Sequence, residues 1–282
     1  MKITHPGIYE MSLADYVADP CPQPSFNTSM AVAILTQSPL HAKMQNRRLN
    51  PNAAREESSR MDLGTIAHAL LLEEDGSKVV EIEADDWRTK AAKEKRDEAR
   101  AAGKIPVLVD DMRSVRKMVE VAQHFMLGSD LCEDWLSAKA EQTLVWRDAE
   151  GFWCRSRPDK LTPDYRIYFD YKSTGSAHPA AFVKTAINQG YDLQVALGIQ
   201  GVKTLTHGEK CTAVFLVQEI DAPYACSLVT LSPMFTTIAE ERLFRAQEKW
   251  RACLQFNEWP GYPSRLATVD PPAYYGANEE EL

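Results

Sequence analysis

Asp170-Tyr171-Lys172 places a carboxylate and an ammonium two residues apart. On a β-strand both side chains leave the same face, because successive residues point to opposite sides. The carboxylate can bind Mg²⁺ or Mn²⁺, hard cations that prefer oxygen ligands. The ammonium can orient an attacking water, help to deprotonate it, or offset charge on a phosphate. Alone, such a pattern is weak, since alternating charge on a strand usually marks a solvated face. Here, however, the surrounding residues are aromatic and apolar, and three more chemically apt side chains lie within reach. Asp159 follows Arg157-Pro158, and a strand, a loop through 161–164 and a return strand can bring it beside Asp170. Glu141 stands at the start of an earlier β-run and can approach the same cluster. His68, on a helix, offers a nitrogen ligand or a phosphate contact.

The elements that must position these groups follow from periodicity. Residues 165–172 alternate, with Tyr165, Ile167, Phe169 and Tyr171 on one face and Arg166, Tyr168, Asp170 and Lys172 on the other. Short β-type runs at 143–147 and 152–157 flank Asp148-Ala149-Glu150-Gly151, a natural hairpin turn. Leu63, Ile66, Ala67, Leu70 and Leu71 recur at helical spacing, so a helix over 61–73 buries one face and carries His68 at its flank. Further helices are expected at 29–35, 87–103, 110–127, 179–201 and 233–256, with strands at 212–219 and 225–231. Residues 51–60 read as a polar loop. Helices first, then hairpin, strand, helix, two strands and helix, give a mixed α/β core with a helical N-terminal layer. No internal repeat or long linker divides the chain, so one domain over 1–282 is expected, with irregular termini at 1–24 and 259–282.

A net charge of −8 argues against a protein that coats nucleic acid non-specifically. It does not exclude an enzyme that holds metal ions, because such a site needs carboxylates of its own and the metal neutralises the scissile phosphate. Charge is also unevenly spread: residues 88–104 carry seven basic side chains against three acidic ones. That run reads first as a solvated amphipathic helix and is not assigned to the site. The six cysteines include no Cys-x-x-Cys pair, which disfavours a zinc ribbon and leaves buried reduced thiols as the expectation. With no membrane-length apolar run and no signal-peptide pattern, the expected location is cytoplasmic.

Taken in order, Gly64-x-x-x-His68, Glu141, Arg157-Pro158-Asp159, Asp170-Tyr171-Lys172 and Gln189-Gly190-Tyr191-Asp192-Leu193-Gln194 resemble the PD-(D/E)XK nuclease superfamily. More narrowly they resemble the RecE-type (exonuclease VIII) nuclease domain, with residues 87–104 similar to its linker helix. The resemblance implies a restriction-endonuclease-like core, a mixed central sheet flanked by helices. It implies Asp159, Asp170 and His68 as metal ligands, Lys172 as the catalytic lysine and Glu141 as a further acid of the centre. Gln194 matches the glutamine of a Gln-x-x-x-Tyr pattern that holds DNA, and Tyr191 and Arg157 are secondary candidates for DNA contact. One departure stands out: the tyrosine position of that pattern is Gly198, which Tyr191 can offset only by a different route. The implied activity is Mg²⁺-dependent exonucleolytic hydrolysis of linear double-stranded DNA, 5′ to 3′, in phage-type recombination, with Mn²⁺ able to substitute. The implied partners are duplex DNA, further copies of the chain in a ring, and a single-strand annealing protein. A structure-specific or single-strand nuclease of the same fold, or a DNA-binding scaffold with a relic site, would share the motifs.

Overall fold

The computed structural model describes residues 2–53, 63–72 and 79–271. The N-terminal part comprises β1 (Gly7–Glu10), α1 (Leu13–Val17), α2 (Thr28–Thr36), α3 (Pro39–Gln45) and α4 (Leu63–Leu72). An excursion follows, β2 (Val79–Ile82), α5 (Lys90–Ala101) and β3 (Ile105–Leu108), then the long α6 (Val109–Leu127) and short α7 (Cys132–Ser137). The central strands are β4 (Lys139–Ala140), β5 (Gln142–Arg147), β6 (Trp153–Ser156), β7 (Lys160–Leu161) and β8 (Ile167–Thr174). Helices α8 (Pro179–Gln189) and α9 (Tyr191–Leu205) lead to β9 (Thr212–Glu219), β10 (Cys226–Val229) and α10 (Pro233–Phe256).

The principal sheet has five strands in the order β10-β9-β8-β7-β4. Only β8 and β9 run parallel, joined by the α8–α9 crossover; the remaining neighbours are antiparallel. Such a connection needs helices on a face of the sheet, and this sheet has them on both. Tyr168, Ala213, Phe215 and Val217 face α2, α8, α9 and α10 in one apolar core. Phe169, Tyr171, Val214 and Leu216 face α4, α6 and α7 in the other. The period of two expected for the central strand is thus what divides the molecule into layers. A second sheet, β1-β5-β6, is antiparallel throughout.

The chain passes between the two sheets twice. β4 belongs to the principal sheet and β5 to the second, and the switch between them is Glu141, at a left-handed φ of 56°. The return passage, from β6 to β7, is Arg157-Pro158-Asp159. The backbone N–H of Glu141 donates to the Asp159 carbonyl at 2.8 Å, closing the seam.

Several local expectations are corrected. Residues 179–201 do not form one helix: Gly190 adopts φ 72°, caps α8 and starts α9 in a new direction. This left-handed conformation is one glycine adopts without the usual steric penalty. Beyond the helix expected at 29–35, Pro39 opens a further helix, α3, at its first turn, where its missing N–H costs nothing. The segment 1–24, expected to be irregular, holds β1 and α1. Its buried Asp19 pairs with Arg155 of β6 at 3.2 Å and accepts from the Ser25 backbone at 2.8 Å. Cys21, Cys154 and Cys253 are buried, whereas Cys132, Cys211 and Cys226 are half-exposed. The expected helix over 61–73 is described from Leu63 to Leu72, and most of the 51–60 loop and the end of the 259–282 terminus lie outside the described residues. No helix among the described residues is long and apolar enough to cross a membrane.

Beside the β1–β5 pairing, the buried Asp19–Arg155 pair ties the N-terminal segment to the second sheet. Removing one partner of a buried pair leaves an uncompensated charge, so Asp19→Ala is expected to destabilise the protein by about 3–5 kcal/mol. Urea unfolding measures this; a change below about 1 kcal/mol, the value of an exposed pair, would contradict it.

Candidate active site

Asp170 is the most deeply buried member of the cluster, with no exposed surface. Its carboxylate is held on both sides. Lys172 Nζ pairs with Oδ1, from the same face of β8, and the Gln194 side-chain amide donates to Oδ2 from the first turns of α9. Lys172 in turn sits over the Tyr191 ring, 4.5 Å from its centroid, a distance suited to a cation–π contact. Tyr191 is itself stacked against Phe182 and tilted against Phe215, so the ring is braced from behind. The Gly190 break aims both Tyr191 and Gln194 at the strand. A Cβ at Gly190 would lie 2.4 Å from Val32 Cγ2, so the turn also depends on its closeness to α2. Asp192, buried in the first turn of α9, is fixed by Arg242 of α10.

Asp159 approaches from the seam. One carboxylate oxygen accepts the Tyr171 backbone N–H at 2.7 Å and the other meets His68 Nε2 at 3.0 Å. His68 reaches in from α4, on the opposite side of the sheet from α9, its ring 6.2 Å from that of Tyr171. Glu141, at the left-handed switch residue, completes a trio. One donor atom each from His68, Glu141 and Asp159 lie within 4.8 Å of one another. An imidazole nitrogen and two carboxylates, all half-buried, form a donor set that fits a divalent cation, with the Asp170 carboxylate beside them.

The remaining expected residues serve these. Arg157 is nearly buried and engaged internally, pairing with Glu141 and donating to the Met11 carbonyl at 2.7 Å and to Thr143 Oγ1 at 3.0 Å. Its position therefore favours carboxylate pairing over phosphate contact. Gln194 and Tyr191 likewise touch Asp170 and Lys172 directly. Reading the sequence missed two contributors. The Tyr171 hydroxyl donates to Gln218 Oε1 at 2.7 Å, and the Gln218 amide donates to the Met118 and Tyr224 carbonyls at 2.9 and 3.2 Å. The residue between the aspartate and the lysine is thus anchored to α6. Tyr168, the other missed residue, packs one strand position before Asp170 on the same face. An interior polar residue flanking Tyr171 across the parallel pair was the only sequence signal for Gln218.

Burial and neighbouring charge set the protonation of the cluster. Burial, reinforced by the Asp159 charge, pushes the Asp170 carboxyl up to about 6. Burial also acts against Asp159 ionising, but the charge and hydrogen bond of His68 prevail and hold it below the usual range. For His68 burial works against the charged form, and the Asp159 carboxylate overcomes it, raising the imidazole above its ordinary value. Lys172 follows the same logic: Asp170 and Asp159 outweigh burial and keep it an ammonium.

A mixed sheet covered by helices, with Asp159 and Asp170-Tyr171-Lys172 converging where two sheets meet, defines the class of PDDEXK-like folds. A sequence profile described as a PDDEXK-like domain of unknown function (DUF3799) matches residues 30–270, and the chain belongs to this family. Its fold is shared with the solved structure of a "putative exonuclease" from Eubacterium rectale, at 9% identity and a TM-score of 0.57 over 97% of this chain and 99% of that one. A phage-related exonuclease from Haemophilus somnus 129PT matches at 16% identity over 68% of this chain and 95% of its own, with a TM-score of only 0.26. An alkaline exonuclease from Laribacter hongkongensis matches at 11% identity over 60% of this chain and 84% of its own, with a TM-score of 0.24. Scores this low carry no weight. No curated protein matches the sequence.

A cation ligated by His68 and Asp170 requires both to be deprotonated, and both hold their protons more tightly than usual. Affinity for Mn²⁺ is therefore full above the His68 transition and is lost as pH falls through it and then through about 6, where Asp170 protonates. Calorimetric titration in buffers of differing ionisation enthalpy should show protons released on binding; an affinity independent of pH would contradict the ligand assignment.

Proposed function

We propose that the protein is a divalent-metal-dependent nuclease that hydrolyses DNA phosphodiester bonds. The observation that carries this reading is the convergence of His68, Glu141 and Asp159 beside the buried Asp170–Lys172 pair. Held by His68, Asp159 and Asp170, a cation would supply charge to neutralise the scissile phosphate and acidity for the attacking water. Mg²⁺ is the expected ion. The imidazole nitrogen makes Mn²⁺ the tighter occupant, since Mg²⁺ is the harder ion and the more reluctant to exchange water for a nitrogen donor.

The chain's own residues do the rest. Lys172, kept as an ammonium by its two carboxylate neighbours, acts as a hydrogen-bond donor and a fixed positive charge toward the phosphate or the attacking water, not as a proton acceptor. Tyr191 beneath it and Asp170 beside it fix its direction without using its remaining donors. Glu141 is oriented by Arg157 toward the open side of the trio, where it can accept a proton from water or complete the ligand set. Gln194 orients the Asp170 carboxylate so that ligand geometry precedes metal binding.

The substrate is proposed to be linear double-stranded DNA degraded from a 5′ end, leaving a 3′ strand for an annealing partner. The support for polarity, for a ring-type homo-oligomer and for a role in recombination is the motif resemblance to RecE-type exonucleases. Digestion of duplexes labelled at the 5′ or 3′ end, with Mg²⁺, Mn²⁺ or EDTA, tests the whole reading. Wild-type protein should release 5′-label as mononucleotides only with metal present. Asp170→Asn and Lys172→Met should each lower the rate by on the order of 10³-fold, the size of effect seen when a group stabilising transition-state charge is lost. Near-wild-type cleavage by both variants would overturn the assignment; release of 3′-label first would reverse the polarity and retain the chemistry.

A further inference from the structure

Helix α9 approaches the sheets through glycine at two positions on one face. A Cβ at Gly198 would lie 3.0 Å from Cε1, Cζ and Oη of Tyr168, and one at Gly201 would lie 2.7 Å from Cζ3 of Trp146. Neither ring has room to yield, since Tyr168 is 1% and Trp146 0% exposed within the same apolar core. The Tyr168 hydroxyl is buried and makes no hydrogen bond, so the side chain acts there as a rigid spacer.

Two register relations connect this packing to the site. Gln194 precedes Gly198 by four residues, one turn along the same face of α9, and Tyr168 precedes Asp170 by two, on the same face of β8. Four helical residues advance about 6 Å, and two strand residues advance about 6.6 Å. With α9 running back along β8, as a crossover helix must, the contacts Gly198–Tyr168 and Gln194–Asp170 form two matched rungs. The first rung sets the helix-to-strand separation, and the second depends on it because the reach of a glutamine amide is fixed. A side chain at 198 would lift α9 from the strand and withdraw the amide from the carboxylate.

We infer that Gly198 is a positioning residue: by seating α9 on Tyr168 it sets the distance at which Gln194 holds Asp170 ready for metal. The position that departs from the Gln-x-x-x-Tyr pattern thus has a task of its own.

The consequence for cleavage rests on the nuclease reading, but the test does not need cleavage. Mn²⁺ affinity is measured by the electron-paramagnetic-resonance signal of the free ion for wild type, Gly198→Ala, Gln194→Ala and the double variant, alongside thermal melts. Each single change should weaken Mn²⁺ binding roughly tenfold, the usual cost of losing a group that orients a ligand. The double variant should bind no more weakly than Gln194→Ala, because both act through one hydrogen bond. Losses that multiply in the double variant, or wild-type affinity in Gly198→Ala, would overturn the inference. If Gly198→Ala does not fold, Gly198→Ala combined with Tyr168→Leu, which makes room for the methyl group, is titrated instead. Affinity near wild type supports the spacing role, and affinity as weak as that of Gln194→Ala refutes it. A wild-type protein that binds Mn²⁺ with this pattern yet cuts no DNA would defeat the nuclease reading alone.

Discussion

A carboxylate with no exposed surface has to be compensated where it stands, and the burial of Asp170 is the constraint to which the surrounding structure answers. Removing an ion from water costs several kcal/mol even after relaxation, and only close partners offset that. β8 provides one through its period of two, which puts the Lys172 ammonium on the same face. α9 provides the other, the Gln194 amide, and can do so because the crossover bends at Gly190 and the helix seats on Tyr168 through Gly198. Even so burial, together with the Asp159 charge, keeps the carboxyl raised to about 6.

The other candidate ligands come from elsewhere, and their meeting is a matter of topology. Glu141 and Asp159 lie at the two points where the hairpin passes from one sheet to the other, tied by a backbone hydrogen bond and by Arg157. His68 arrives on α4 from the opposite layer, whose core includes Ile66, Ala67, Leu71, Phe169 and Tyr171. Side chains from both layers therefore meet around the middle of β8. Tyr171 links them: its backbone N–H holds Asp159, its ring flanks His68, and its hydroxyl is anchored through Gln218 to α6. His68 and Asp170 stand on rigid elements, and Glu141 and Asp159 stand in two short connections closed by a backbone hydrogen bond, which favours a preformed geometry.

What could be read from the sequence was whatever local periodicity encodes. The alternation around Asp170 placed Lys172 with it and Tyr171 opposite, and the strand 212–219 and helix 233–256 were legible from their residue runs. Gly190 was visible as a residue but not as a break, because apolar spacing continues across it. β1 escaped notice because its only pairing is with β5, far along the chain, and four residues with a half-buried pattern carry little signal alone. Glu141 looked like the first residue of a strand; its left-handed backbone follows from a change of sheet, which no local pattern announces. The partners of Arg157 and the Tyr171–Gln218 link are likewise tertiary, so Arg157 reads as a secondary DNA contact in sequence and is an internal brace in the fold.

His68, Asp159, Glu141 and Asp170 are proposed to form one metal centre together. Diffraction from crystals soaked in Mn²⁺, recorded near the manganese absorption edge, tests it most directly. The account predicts an anomalous peak about 2.1–2.3 Å from His68 Nε2 and from oxygens of Asp159 and Asp170, the range of such bonds to nitrogen and oxygen donors. Glu141 should lie at the edge of the same peak. A well-occupied peak elsewhere, with these four side chains unmoved and unligated, would contradict it.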